Sequence, residues 1–110
     1  MRSFVVLVGL AAAVMTLPLA TARAQDYVLT IKDHKFTPEE IKVPANQRVA
    51  ITVINDDATA EEFESPALKV EKVVAGHSRG TVRIGPLKPG RYQFVGEFHE
   101  ATAKGVVIAE

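Results

Sequence analysis

The feature that most constrains this chain is a period of two. In "DYVLTIK" Tyr27, Leu29 and Ile31 fall on one side, and in "EIKV" Ile41 and Val43 do the same. "RVAITVIN" sets Val49, Ile51 and Val53 against Ala50, Thr52 and Ile54. "TVRIG" offers Val82 and Ile84, "RYQFVG" offers Tyr92 and Phe94, and "GVVIA" is β-branched through its middle. Such alternation fits strands with one buried face and cannot form the stripe of an amphipathic helix. Turn signals punctuate the runs: Thr37-Pro38, Pro44-Ala45-Asn46, Asn55-Asp56-Asp57, Ala75-Gly76, and Pro86 through Pro89-Gly90. Short strands at this spacing predict one all-β domain, an antiparallel sandwich or barrel. "EEFESPALKVEKVVAG" is broken by Pro66 and reads as a strand end, a turn and another short strand, with a single helical turn near Ala67 as the alternative.

A different pattern precedes the first strand. Arg2 gives a positive start, Phe4 to Met15 form an apolar run, and Ala22-Arg23-Ala24 is an A-x-A cleavage pattern. Residues 1–24 therefore read as a secretory signal peptide, residues 25–110 as the mature domain, and the periplasm as the destination. The apolar run is short for a membrane span of about 20 residues. The leader's only charges are Arg2 and Arg23, so the remaining 86 residues keep 11 of 13 basic residues against all 13 acidic ones, a net charge of −2. There is no basic stripe for nucleic acid and no polybasic patch for a membrane surface. With no Cys, the exported chain has no disulfide and no thiolate ligand.

The ionisable residues are clustered. Glu61, Glu62 and Glu64 follow the Asn55-Asp56-Asp57 turn; Glu97, His99 and Glu100 follow the Tyr92–Phe94 strand; His34 lies between the first two strands. Should these three segments share one end of the sandwich, imidazole and carboxylate would meet there, a donor set suited to Fe, Zn, Mn or Cu(II). Glu64 is the preferred carboxylate of its group, since Phe63 points inward and its neighbours outward. Each residue also has a plain reading: solvated strand ends for the Glu residues, loop or turn positions for His34 and His99. His77, in the Gly-flanked "AGHSRG", reads as a turn residue at the opposite end. No phosphate loop, EF-hand loop or H-E-x-x-H pattern is present, and Ser65 and Ser78 lack the setting of a nucleophile elbow.

The strings "FTPEEIKVPANQRVAITVIN", "EEFES", "LKPGRYQFVGEFH" and "AKGVVIAE" together resemble the cupredoxins from end to end of the mature chain. That resemblance implies a cupredoxin-like Greek-key β-sandwich. It also implies where copper ligands would fall: a first His at Glu61, a Cys at Gly96, a second His at His99, and an axial Met near Thr102-Ala103. Only His99 is kept, and without a thiolate a blue electron carrier does not follow.

Within the cupredoxins, "EFES…LKVEKVVAG…LKPGRYQFVGEFHEATAKGVV" is similar to the FtrB-type and EfeO-type components of bacterial periplasmic iron uptake. This narrower likeness implies iron, copper or both as the bound ion, and a membrane iron permease complex as partner. Fe(II) would be bound or oxidised, with Glu64 matching the carboxylate assigned to iron. Two Cys of some EfeO-type domains would align with Phe36 and Gly96, and this chain has neither. The expected ligand set is Glu64, His99, Glu97, Glu61 and His34. A homodimer is compatible with it, and the alternative function is a metal-free interaction module on the same scaffold.

Overall fold

The computed structural model describes residues 3–5, 9, 11–14 and 26–110. The expected cleavage site, Ala22 to Ala24, lies outside them. Among the described residues nine strands form: β1 (Tyr27–Lys32), β2 (Lys35–Thr37), β3 (Glu40–Val43), β4 (Val49–Asn55), β5 (Glu61–Ser65), β6 (Val70–Val74), β7 (Ser78–Ile84), β8 (Gly90–Gly96) and β9 (Lys104–Ala109). One 3₁₀ turn, Glu97–His99, follows β8. Among the described residues no helix is long and apolar enough to cross a membrane.

The strands make two sheets, ordered β2-β1-β4-β7 and β3-β9-β8-β5-β6. The chain passes between them at β2–β3, β3–β4, β4–β5, β6–β7 and β7–β8, and the result is the expected all-β sandwich. It is not wholly antiparallel: β1 runs parallel to β4 and β3 parallel to β9. Alternation reports which face a residue takes but not the direction of its neighbour, so the antiparallel expectation fails for these two pairs. The stretch through Pro66 forms strand, turn and strand (β5 and β6), and the helical turn falls at Glu97–His99 instead of near Ala67.

Inward residues of both sheets build one core: Leu29 and Ile31 from β1, Ile51 and Val53 from β4, Val82 and Ile84 from β7, and Val107 from β9. Phe36, Phe63 and Phe94 meet at its centre. The Phe63 and Phe94 rings are stacked with centroids 4.9 Å apart, and Phe36 meets Phe94 edge-on at 5.1 Å. Gly105 stands opposite Phe94 on the β8–β9 ladder, where a Cβ would lie 2.3 Å from the Phe94 ring, so only glycine leaves room for it.

The strand directions bring the β1–β2, β4–β5, β6–β7 and β8–β9 connections to the same end. The β6–β7 turn carries His77, whose N–H donates to the Asp57 carbonyl at 2.9 Å. His77 therefore lies at the end that carries His34 and His99, not at the opposite one; β6 runs antiparallel to β5 with Val74 facing Glu61, which returns the chain to that end.

Candidate metal centre

The β1–β2 hairpin turns on two residues, Asp33 and His34, both with positive φ (51° and 57°). Tight two-residue hairpins favour that mirror-image geometry, usually with Asn-Gly or Asp-Gly. Here a neighbouring loop holds it. The Asp57 carboxylate accepts the Asp33 N–H at 2.8 Å and the His34 N–H at 3.0 Å. These bonds, the His34 amide foremost, draw the Asp57 carboxyl below its ordinary pKa. Asp57 is in turn fixed by buried Asn55, whose Oδ1 accepts the Asp57 N–H and whose Nδ2 donates to the Thr59 and Val74 carbonyls.

His34 thus meets His99. Their rings stack with centroids 3.5 Å apart and planes 11° from parallel. An imidazole lone pair lies in the ring plane, so parallel rings at this spacing cannot both reach one ion at about 2.0–2.1 Å. The other contact of His99 is Glu61. That side chain opens β5, points inward and is 1% exposed. Its Oε1 accepts the Glu62 N–H at 3.1 Å and the Phe98 N–H at 2.9 Å, and its Oε2 accepts His99 Nδ1–H at 2.5 Å. A buried carboxylate is costly unless its oxygens are bonded, and here both are. With Nδ1 as donor, the neutral ring carries its lone pair on Nε2, which has no protein partner among the described residues.

Gly96 completes this inner arrangement. A Cβ there would lie 2.7 Å from Glu61 Cδ and 2.7 Å from Ala103 Cβ. The space a cysteine side chain would need is occupied by the Glu61 carboxylate. These residues do not fit a type 1 copper: position 96 supplies no thiolate, and the Glu61 oxygens are spent on amides and on His99.

A second group lies on the other side of β5. Strand alternation turns Glu62 and Glu64 outward, and the 3₁₀ turn brings Glu97 beside them. One carboxylate oxygen from each of the three lies within 4.8 Å of the others. Among the described residues no Lys or Arg forms an ion pair with any of them. The Glu62 carboxyl is pushed up to about 7, first by hydrogen bonding with the Glu97 side chain, then by partial burial and by the charges of Glu97, Glu71 and Glu64. Glu64 is raised as well, by partial burial first and then by Glu97. Glu71 stands directly opposite Glu64 on β6, and like charges so placed repel.

The five residues expected to gather therefore divide. Glu61, His99 and His34 form an inner chain from core to rim; Glu64 and Glu97 lie outside with Glu62. Strand parity already separated Glu61 from Glu64. What the sequence could not give was the β8 register that carries Glu97 to Glu62, because that depends on where the β5–β8 ladder stops.

The comparisons with known proteins agree with this architecture. The family described as cupredoxin-like domain matches residues 4–109. An uncharacterized protein of Rickettsia prowazekii (strain Madrid E) is 45% identical over 80 residues, 73% of this chain and 64% of that protein, so the chain spans just under two thirds of that relative's length. Among solved structures, a Cu(I) form of an amicyanin mutant superposes with a TM-score of 0.64 at 19% identity, over 77% of this chain and 82% of that one. Amicyanin from Paracoccus versutus gives 0.61 at 16% identity, over 79% and 83%. A chain of a heme-copper terminal oxidase dimer gives 0.63 at 22% identity, over 79% and 65%. At these identities the structural likeness speaks for the fold alone, whereas the family match spans nearly the whole sequence: the chain belongs to the cupredoxin-like domain family.

Proposed function

We propose that this protein is an exported iron-binding member of the family, which takes Fe(II) at Glu62, Glu64 and Glu97 and hands it to a membrane iron permease. The observation that carries the reading is the convergence of three carboxylates with no basic partner among the described residues. Each raises the cost of ionising the next, and a bound cation removes that cost. Hard oxygen donors suit iron better than the soft sulfur sets that favour Cu(I). Anionic oxygens also hold Fe(III) more tightly than Fe(II), which lowers the potential and favours oxidation. The electron released needs an acceptor outside the chain, so binding is the function assigned to this protein and oxidation belongs to a complex. The family's copper is not part of this reading, because the inner residues do not fit it.

The leader-like N-terminus supports a periplasmic location, and the likeness to iron-uptake components supports the permease partner. The test is iron uptake from Fe(II) in a strain lacking the protein. Wild type is expected to restore uptake and a Glu62→Gln, Glu64→Gln variant to fail; equal restoration by both would overturn the reading. A second reading, a metal-free interaction module, is favoured by one observation: the Glu61–His99 pair already fills the inner position. Under that reading both chains restore uptake equally.

A further inference from the structure

We propose that Glu61 is the positioning residue of the outer carboxylate site: from inside the sandwich it holds Glu97 beside Glu62. The inference rests on the iron-binding reading for its consequence, but its geometry stands apart from any metal. The β5–β8 ladder has two rungs only, Phe63 with Gly96 and Glu64 with Val95. Continued in the same register, it would next set Glu62 opposite Glu97 and Glu61 opposite Phe98. At that point β8 ends and the 3₁₀ turn begins, with two like charges facing each other across the gap. Main-chain pairing does not hold the turn to β5 there.

The Glu61 carboxylate makes the connection instead. Its Oε1 takes the N–H of the peptide entering Glu62 and the N–H of the peptide leaving Glu97, the Phe98 amide. One oxygen atom therefore fixes the backbone beside two of the three outer ligands. Oε2 takes His99 Nδ1–H, which pins the far end of the same turn. A buried carboxylate with three backbone and ring donors has one geometry open to it, and the separation of Glu62 from Glu97 follows from that geometry.

Gly96 belongs to the same device. It is the last β8 residue and the cross-strand partner of Phe63, so a Cβ would point inward. It would then meet Glu61 Cδ at 2.7 Å and Oε1 at 2.9 Å. A methyl group at 96 pushes away the atom that accepts the Phe98 amide. Ala103, behind it at 2.7 Å and fully buried, leaves no path in the other direction.

The experiment compares the full chain with Glu61→Ala, Glu61→Gln, Gly96→Ala and the Glu61→Ala, Gly96→Ala double variant. Two quantities are read: anaerobic Fe(II) affinity, and nuclear Overhauser contacts between the Glu62 and Glu97 side chains without metal. Glu61→Ala is expected to abolish the contacts and weaken Fe(II) binding about 10- to 100-fold, the usual effect of losing a group that orients ligands. Glu61→Gln keeps an amide oxygen for the Phe98 N–H and should preserve the contacts and most of the affinity. Gly96→Ala should resemble Glu61→Ala, and the double variant should be no worse than either single one, because the added methyl fills the vacated space. Should Glu61→Ala fail to fold, the Gly96→Ala and Glu61→Gln pair decides the matter by the same contacts. Unchanged contacts in Glu61→Ala or Gly96→Ala overturn the proposal. Absence of Fe(II) binding in the wild type overturns the iron reading alone, since the metal-free contacts still decide the positioning role.

Discussion

At the scale of single residues, Asn55 and Asp57 hold backbone at the loop end through their side chains. Asp57 carries the Asp33-His34 turn, and Asp57→Asn keeps one acceptor while losing charge and one bond. It is expected to cost about 1–2 kcal/mol by urea denaturation at pH 7, since solvent competes for both bonds. The Asp57 carboxyl sits below its unfolded value, so its contribution is present above about pH 4 and is lost as pH falls through the folded value. The difference between wild type and variant should therefore shrink as pH falls below about 4, and a difference that does not shrink contradicts the assignment. With no Cys in the chain, Cu(II) added to the protein is expected to give only a weak ligand-field band of a nitrogen–oxygen site. An intense visible charge-transfer band would contradict the ligand chemistry described for position 96.

At the scale of elements, β5 serves two faces at once. Its inward residues Glu61, Phe63 and Ser65 anchor core and turn, while outward Glu62 and Glu64 meet Glu97 and Glu71. Carboxyls raised above their unfolded pKa hold more protons in the folded state, so the metal-free fold loses stability as pH rises from about 4.5 through about 7. Glu62→Gln is expected to raise the melting temperature at pH 8 and leave it unchanged at pH 4, while weakening metal binding. A lower melting temperature at pH 8 would show that the three carboxylates do not oppose one another. Fe(II) affinity should also fall steeply below about pH 7, as Glu62 takes up its proton. The faces of β1, β3, β4, β7 and β8 were legible from alternation because one face of each is buried. β2 was not, because Lys35–Thr37 is too short to show a period, and its hairpin lacks the Gly that marks such turns. The parallel pairings were not legible either, since they follow from which sheet each crossing enters.

At the scale of the whole molecule, the sandwich gathers four connections at one end and sorts their acids by strand parity. That gathering was foreseeable for His34, Glu61, Glu64, Glu97 and His99 only as a condition on the loops, and the strand directions satisfy it. Their division into an inner Glu61–His99–His34 chain and an outer Glu62–Glu64–Glu97 group was half visible, since Glu61 and Glu64 have opposite parity in β5. Glu62 was read as one of the acidic cluster but left out of the ligand set, because its partner Glu97 lies 35 residues away in sequence, past the end of the ladder. Both Glu61 oxygens are taken by hydrogen bonds and His34 meets His99 by ring stacking, whereas the outer group lacks any ion pair with Lys or Arg among the described residues. The proposed metal site is the outer carboxylate group and not the inner position. The measurement that tests it most directly is an anaerobic Fe(II) titration of the wild type beside a Glu62→Gln, Glu64→Gln, Glu97→Gln variant. Saturable binding by the wild type and none by the variant is the result expected here, whereas equal binding by the two, or none by either, would contradict the claim.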